Sequence, residues 1–288
     1  MTPLSPRRLN PLAAALATGA LGATLAGCDT VSRVSSGPRV AVVEEDPSGT
    51  ASINIGSLSE VIQRNPNDPS AYNTRGAAYA RAGKYGDAIN DFNRAVQIDA
   101  NYAPAYTNRG LAHRQTGRND QALADFSRAI SADSSYAPAY IARANLARTQ
   151  GNTADALSDL NQAIRLTPES AEAYHARGLV YQRQGQHRQA ILDFDSAIDR
   201  NAFAGAPYAA RGQSLVATNQ YDKAIEDLNA ALNVDNRNAD AWAARGLAFE
   251  RKGDRQEATQ SYQRAAAIDP GNANARQGLS RVQGGLFR

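Results

Sequence analysis

One thiol, three imidazoles and a long series of evenly spaced arginines and carboxylates are the groups here whose types could do chemistry. Cys28 is the single cysteine, so the chain can build neither an internal disulfide nor a cysteine zinc cluster. A lone thiol offers one thing, a nucleophile for covalent modification. His113, His175 and His187 show no metal-ligand spacing, and no phosphate-cradling glycine loop, nucleophile elbow or His-Glu-x-x-His run occurs. Asp and Glu recur at long regular intervals instead of converging in pairs, so general acid–base catalysis has no visible seat. The reading is that the protein is not an enzyme and carries no cofactor and no metal. Every basic residue except Lys84, Lys223 and Lys252 is arginine, the side chain whose planar fork pairs bidentately with carboxylates.

Cys28 gains meaning from what precedes it. Arg7 and Arg8 lead into an apolar run, Leu12–Ala26, with the size of a signal-peptide core. The run is too short and too rich in small residues for a comfortable membrane-spanning helix. It ends Leu25-Ala26-Gly27-Cys28, which resembles the lipobox of bacterial lipoproteins. That resemblance implies removal of residues 1–27, diacylglycerol on the Cys28 thiol and acylation of the new N-terminus. Two or more acyl chains, at about 0.8 kcal/mol per buried methylene, hold a protein on a membrane stably. The alternative is an ordinary signal peptide with Cys28 near its cleavage site by chance. The expected location is a bacterial membrane, facing the periplasm. Asp29 resembles the inner-membrane retention signal of enteric bacteria, but the choice between inner and outer membrane stays open. Without Arg7 and Arg8 the 31 basic residues fall to 29 against 28 acidic ones, a balance that gives no support to nucleic-acid binding. Residues 28–56, with Ser, Gly, Pro and Glu44-Glu45-Asp46, read as the lipidated cysteine and a flexible linker spanning roughly 30 Å.

The remainder is periodic. From Pro69 to Asn272 a 34-residue unit recurs six times without insertion, as 69–102, 103–136, 137–170, 171–204, 205–238 and 239–272. Position 4 is aromatic throughout (Tyr72, Tyr106, Tyr140, Tyr174, Tyr208, Trp242), and position 7 is always Arg, from Arg75 to Arg245. Position 8 is Gly except at Ala144, positions 20 and 27 are always Ala, and position 24 is large and apolar, from Phe92 to Tyr262. Small residues at 8, 20 and 27 let two antiparallel helices approach closely, and the residues at 4 and 24 fill the space beside them. Gly at position 15, or Asn219 in the fifth unit, suits a helix end. This pattern resembles the tetratricopeptide repeat family, which implies an all-α fold: an α-solenoid of six helix-turn-helix repeats. Ser57-x-x-Glu60 has capping-box form and is expected to open a half-repeat helix over 57–68. Residues 273–288 read as a capping helix and tail, with Arg276 in the aromatic place. Position 7 is usually apolar in the family. Its Arg is expected to pair with the Asp at position 23 of an adjacent repeat, as Asp125 with Arg143, although pairing inside each repeat fits the sequence equally well.

Family geometry places positions 2, 5, 6, 9, 12 and 13 on a concave face. The expected partner-binding residues are Asn73, Thr107, Ile141 and His175 at position 5, with Leu111, Asn145, Leu179, Gln213 and Leu247 at position 9. Arg81, Arg114, Arg148, Arg183 and Arg251 form an edge at positions 12 and 13. Such a face suits acidic-apolar protein segments. The Lys/Asn/Arg carboxylate clamp of chaperone-binding relatives is missing. These readings describe a membrane-anchored protein–protein interaction scaffold of the bacterial cell envelope. The alternatives are a pilotin-like assembly factor for a pilus or secretion machine, or a self-associating homo-oligomeric scaffold.

Overall fold

A computed structural model describes residues 50–284 as fourteen α-helices, with no strand among them. Cys28, the signal peptide and most of the linker lie outside the described residues, as do residues 285–288. Helix α1 is Thr50–Arg64. Six pairs follow: α2 Pro69–Arg81 with α3 Tyr85–Ile98, α4 Ala103–Gln115 with α5 Asn119–Ala132, and α6 Ala137–Gln150 with α7 Thr153–Leu166. Next come α8 Ala171–Arg183 with α9 His187–Arg200, α10 Gly205–Ala217 with α11 Tyr221–Val234, and α12 Ala239–Lys252 with α13 Arg255–Ile268. Helix α14, Ala273–Gly284, ends the array.

The first turns explain where these helices begin. Pro69 is the first residue of α2, and Pro104 and Pro138 are the second residues of α4 and α6, all within the first turn, where a missing N–H costs nothing. Asp68, Ser170 and Asn238 accept backbone N–H bonds at the starts of α2, α8 and α12. At α1 the capping-box expectation fails. The helix starts at Thr50, seven residues before Ser57, so Ser57 and Glu60 both lie inside it. The first helices close at position 15, where Gly83 and its counterparts adopt φ between 72° and 88° and Asn219 adopts φ 60°.

Packing inside a repeat turns on position 24. Phe92, Phe126, Leu160, Phe194 and Leu228 are 0% exposed and Tyr262 is 1%. Each leans on the position-8 residue of its partner helix; a Cβ built on Gly110 would stand 2.6 Å from Phe126 Cε1. The position-4 aromatics are less deeply set than their pattern suggested. Of them only Tyr106 is buried, and the rings lie beneath the position-7 guanidinium, as Tyr106 does 5.3 Å from Arg109 Cζ.

The arginines knit the repeats, though by a different route from the one expected. Arg109 Nε and Nη2 donate to Asp125 Oδ2 and Oδ1 at 2.9 and 2.6 Å, within one repeat. The same fork joins Arg75 to Asp91, Arg143 to Asp159, Arg177 to Asp193 and Arg211 to Asp227. The inter-repeat pairing of Asp125 with Arg143 is therefore corrected. Both nitrogens of one fork need both oxygens of one carboxylate, and the carboxylate within reach stands on the partner helix of the same repeat. The third nitrogen makes the link between repeats. Arg109 Nη1 donates to Asn93, Arg177 Nη1 to Asn161 and Arg211 Nη1 to Asp195, each at position 25 of the preceding unit. Where the sixth repeat has Ser261 for Asp, Arg245 turns to Asn229, Ser261 and Glu257.

Candidate functional site: the face of the first helices

Neighbouring first helices approach closely along the array, α2 with α4, α4 with α6, and so on to α12 with α14, whereas the backbones of the described second helices stand further apart. First helices therefore crowd on the inner side of the stack and second helices fan out on the other. The inner face is therefore built from the first helices, which carry the positions 2, 5, 6, 9, 12 and 13 expected to line it.

Those positions divide by depth. Thr107 and Ile141 are 1% and 3% exposed, and Asn73 accepts a 2.9 Å bond from buried Asn108 Nδ2 of the next first helix. These three were expected to offer partner contact, and the structure corrects that. Position 5 lies at the seam between successive first helices and is used up by their packing. His175, at the same position, is half-buried, with its ring 5.8 Å from that of Phe194. Burial, and then the charge of Arg148, hold its pKa down to about 4, so it is neutral near pH 7. A base with its folded pKa below the ordinary 6.5 stabilises the fold fully above pH 6.5, and loses that contribution as pH falls toward 4. Stability measured by denaturant at pH 7 and pH 4.5 is expected to differ by on the order of 1–2 kcal/mol through this group, after discounting for partial exposure. His175→Gln should remove that share of the difference.

Position 9 supplies the reachable apolar surface. Leu111, Leu179 and Leu247 are half-buried, with Asn145 and Gln213 between them along the face. Toward the C-terminal end, α10, α12 and α14 enclose a cleft of about 580 Å³. Its floor is Val216, Ala243, Ala244 and Leu247. Gln213, Asp240, Arg251, Asn274, Gln277 and Arg281 provide its polar groups, and Tyr262 closes one side. Arg281 is held by Glu250 at 2.7 and 2.9 Å, and Tyr262 Oη donates to Glu250 Oε2 at 2.6 Å. The bonds from Arg281 hold the Glu250 carboxyl below its usual range. Three expected residues, Gln213, Leu247 and Arg251, meet in this cleft. Asn274, Gln277 and Arg281 were missed because α14 was read only as a cap. Counting the 34-residue register on from Ala273 puts them at positions 2, 5 and 9, which would have found them.

The arginine edge is continuous in the middle of the array. Arg114, Arg148 and Arg183 follow one another on α4, α6 and α8, and Arg183 Nη1 donates to the Arg148 carbonyl at 2.6 Å. Burial lowers the pKa of Arg114 and Arg148, as does the charge of the next arginine along, Arg148 and Arg183 respectively. Glu172 counters this at Arg114. Arg148 Nε is buried without a hydrogen-bond partner. Arg81 on α2 and Arg251 on α12 share position 13 with Arg183, whereas Arg114 and Arg148 stand at position 12, and α10 breaks the series with Val216 and Ala217. Among the described residues no cluster of three or more His, Cys, Asp or Glu is placed to hold a metal ion, and no helix is long and apolar enough to cross a membrane.

Stacked antiparallel helix pairs, six in unbroken register with an inner face of first helices, define a repeat solenoid built for contact with other macromolecules. The chain belongs to the tetratricopeptide repeat family. Models described as TPR repeat or tetratricopeptide repeat match residues 58–90, 78–117, 103–136, 144–185, 171–203, 212–253 and 239–272. Repeats of this family serve as protein–protein interaction scaffolds. No curated protein matches the chain in sequence. Among solved structures it is similar to the APC/C hetero-tetramer Cut9–Hcn1, with 21% identity and TM-score 0.72 over 81% of this chain. The chain spans only 46% of that larger protein. It is also similar to pilF of Pseudomonas aeruginosa, with 19% identity, TM-score 0.67, and coverage of 74% and 97% of the two chains. A third is YrrB, described as a TPR protein with an unusual peptide-binding site, at 23% identity and TM-score 0.52 over 65% of this chain and 96% of that one. At these identities the likeness is one of fold.

Proposed function

We propose that the protein is a membrane-tethered adaptor of the bacterial cell envelope, holding segments of partner proteins against the inner face of its repeats. The observation that carries this is the cleft between α10, α12 and α14. It combines an apolar floor with polar groups from three successive helices, the composition that protein-recognition grooves share. Half-buried Leu179 and Leu111 add further apolar points along the array, separated by Gln213 and Asn145. The tether rests on Leu25-Ala26-Gly27-Cys28 and the apolar run before it. Placed on a lipid-anchored cysteine with a linker that ends where α1 begins at Thr50, a span of roughly 25 Å, the repeats stand off the membrane surface while their partners stay close to it.

The test is co-purification from solubilised envelopes. A discrete partner should be retained by wild-type protein and by Leu192→Arg on the outer helices, where Leu192 is 66% exposed. Leu247→Arg should lose it, and Cys28→Ser should move the protein out of the membrane fraction. Equal retention by Leu247→Arg would place the binding surface elsewhere. A second reading, an assembly factor for a pilus, is favoured by one observation: pilF and PilW, the latter described as a type IV pilus biogenesis factor, both have this fold, at TM-scores of 0.67 and 0.65. Deletion of the gene with loss of surface pili would select it over the general adaptor.

A further inference from the structure

The described array begins and ends on half a repeat. Counting the 34-residue register back from Pro69 makes residues 35–68 an earlier unit, and α1, Thr50–Arg64, stands where its second helix belongs. Its contacts agree. Arg75 Nη1 donates to Ser59 Oγ at 3.0 Å, the same link to position 25 of the preceding unit that Arg143 makes with Ser127. Helix α14, Ala273–Gly284, is a first helix by the same count. Among the described residues α1 packs on no first helix of its own unit, and α14 on no second helix of its own. Exposure shows what each lacks. In the six repeats position 24 is at most 1% exposed and position 27 at most 2%, yet on α1 they are half-buried Leu58 and Val61, the latter 41% exposed. Position 8 is buried in all six repeats, yet on α14 it is exposed Ser280. In a complete repeat the small residue at 8 receives the large one at 24, as Gly76 receives Phe92.

The two halves differ from the complete repeats in ways that match each other. Ser280 is small enough to receive Leu58. Position 7 is Leu279 and position 23 is Ser57, so joining them buries no lone charge where the fork stands elsewhere. Position 4, aromatic in all six repeats, is exposed Arg276 on α14. Position 26 is Arg94, Arg128, Gln162, Ser196, Ala230 and Arg264 in the six repeats, but Glu60 on α1. Positions 4 and 26 of one repeat face each other, for Arg94 Cζ lies 5.9 Å from the Tyr72 ring centroid. The acid at 26 on one end thus answers the base at 4 on the other. Glu60 is exposed and held only by Arg64 at 3.7 Å, a solvated pair of little strength, and its two oxygens can serve both guanidinium groups. We infer that the chain assembles head to tail with itself, α1 of one copy packing on α14 of another as the second helix of a shared repeat. The two surfaces of such a joint are different, so it propagates as an open row instead of closing a pair. Helix α2 of the incoming copy then lies beside α14 as α4 lies beside α2, and the inner face runs on from copy to copy. The inference needs neither the partner nor the tether of the proposed function.

The experiment cross-links the full chain in intact cells with a short, membrane-permeable bis-maleimide. Ser57 and Ser280 are both exposed, at positions 23 and 8, and exchanging each for cysteine leaves the packing of the protomer alone. The Ser57→Cys/Ser280→Cys chain should give a ladder of dimers, trimers and longer species, with mass spectrometry placing the links between residues 57 and 280. Neither single variant should give that ladder. Adding Glu60→Arg to the pair sets three arginines at one joint and should cut the cross-linked fraction by at least about fivefold. Adding Arg276→Glu as well puts one acid back beside two bases and should return the ladder. Recovery through a change at the far end of the chain also shows that Glu60→Arg had not unfolded it. Monomers throughout overturn the proposal, as does a ladder indifferent to Glu60→Arg or a loss that Arg276→Glu fails to repair. Links between the Ser57 sites of two copies would make the contact a pairing of α1 with α1. Adducts with a different protein would give the exposed face of α1 to a partner. Either result overturns the head-to-tail joint.

Discussion

Asp125→Ala is expected to lose about 3 kcal/mol of unfolding free energy, among the largest effects of any single charged residue in the chain. Asp125 is 6% exposed and accepts both arms of the Arg109 fork. Removing one member of a buried pair leaves the other desolvated, which costs far more than an exposed pair ever contributes. His113 Nε2 stands 3.8 Å from the same carboxylate, but burial lowers its pKa, so it does not take over as a cation near pH 7. The decisive form of the experiment is a pair of double-mutant cycles in urea. Asp125 with Arg109 should show a coupling of about 2 kcal/mol, and Asp125 with Arg143 a coupling within about 0.5 kcal/mol of zero. The reverse order would mean that the fork closes between repeats.

Gly110→Val is expected to cost about 3 kcal/mol or more. A Cβ at that position meets Phe126 Cε1 at 2.6 Å and Cδ1 at 2.8 Å, and the Ala122 carbonyl lies 3.2 Å away, so neither helix can retreat cheaply. Overpacking of this kind costs about 1–3 kcal/mol, and valine adds its restricted rotamers in a helix. The chain itself contains the compensated alternative. In the third repeat position 8 is Ala144, position 24 is Leu160, and both are fully buried. The double variant Gly110→Ala/Phe126→Leu copies that pair, and thermal denaturation should place it within about 1.5 kcal/mol of wild type. A double variant as unstable as Gly110→Val would show that the ring of Phe126 is needed for more than volume.

The repeat made most of this architecture legible. A strict 34-residue period fixes which residues are small, which are large and where each helix must stop, because every repeat solves the same packing problem. What the period could not show was direction. Position 7 and position 23 repeat together, so the sequence fits a fork closed inside one unit as well as one closed across two, and only side-chain reach decides. Depth was hidden for the same reason. Asn73, Thr107 and Ile141 share a helix face with His175, yet the closeness of successive first helices buries the first three. The start of α1 at Thr50 was obscured by a plausible capping box at Ser57, where seven preceding residues join the helix instead. Arg281 and Gln277 were overlooked because α14 lacks the aromatic that marks a first helix, although the register continues through it.

The inner face as the seat of protein binding is tested most directly by photo-crosslinking in living cells. Ile141, at 3% exposure, is too deep to carry the probe, whereas Leu179 and Leu247 are half-buried on that face and Leu192 is 66% exposed on the outer helices. A photoreactive residue at Leu179 or Leu247 should give a discrete adduct with another protein, and the same residue at Leu192 should give none. An adduct from Leu192 with none from Leu179 or Leu247 would contradict the account and assign recognition to the second helices.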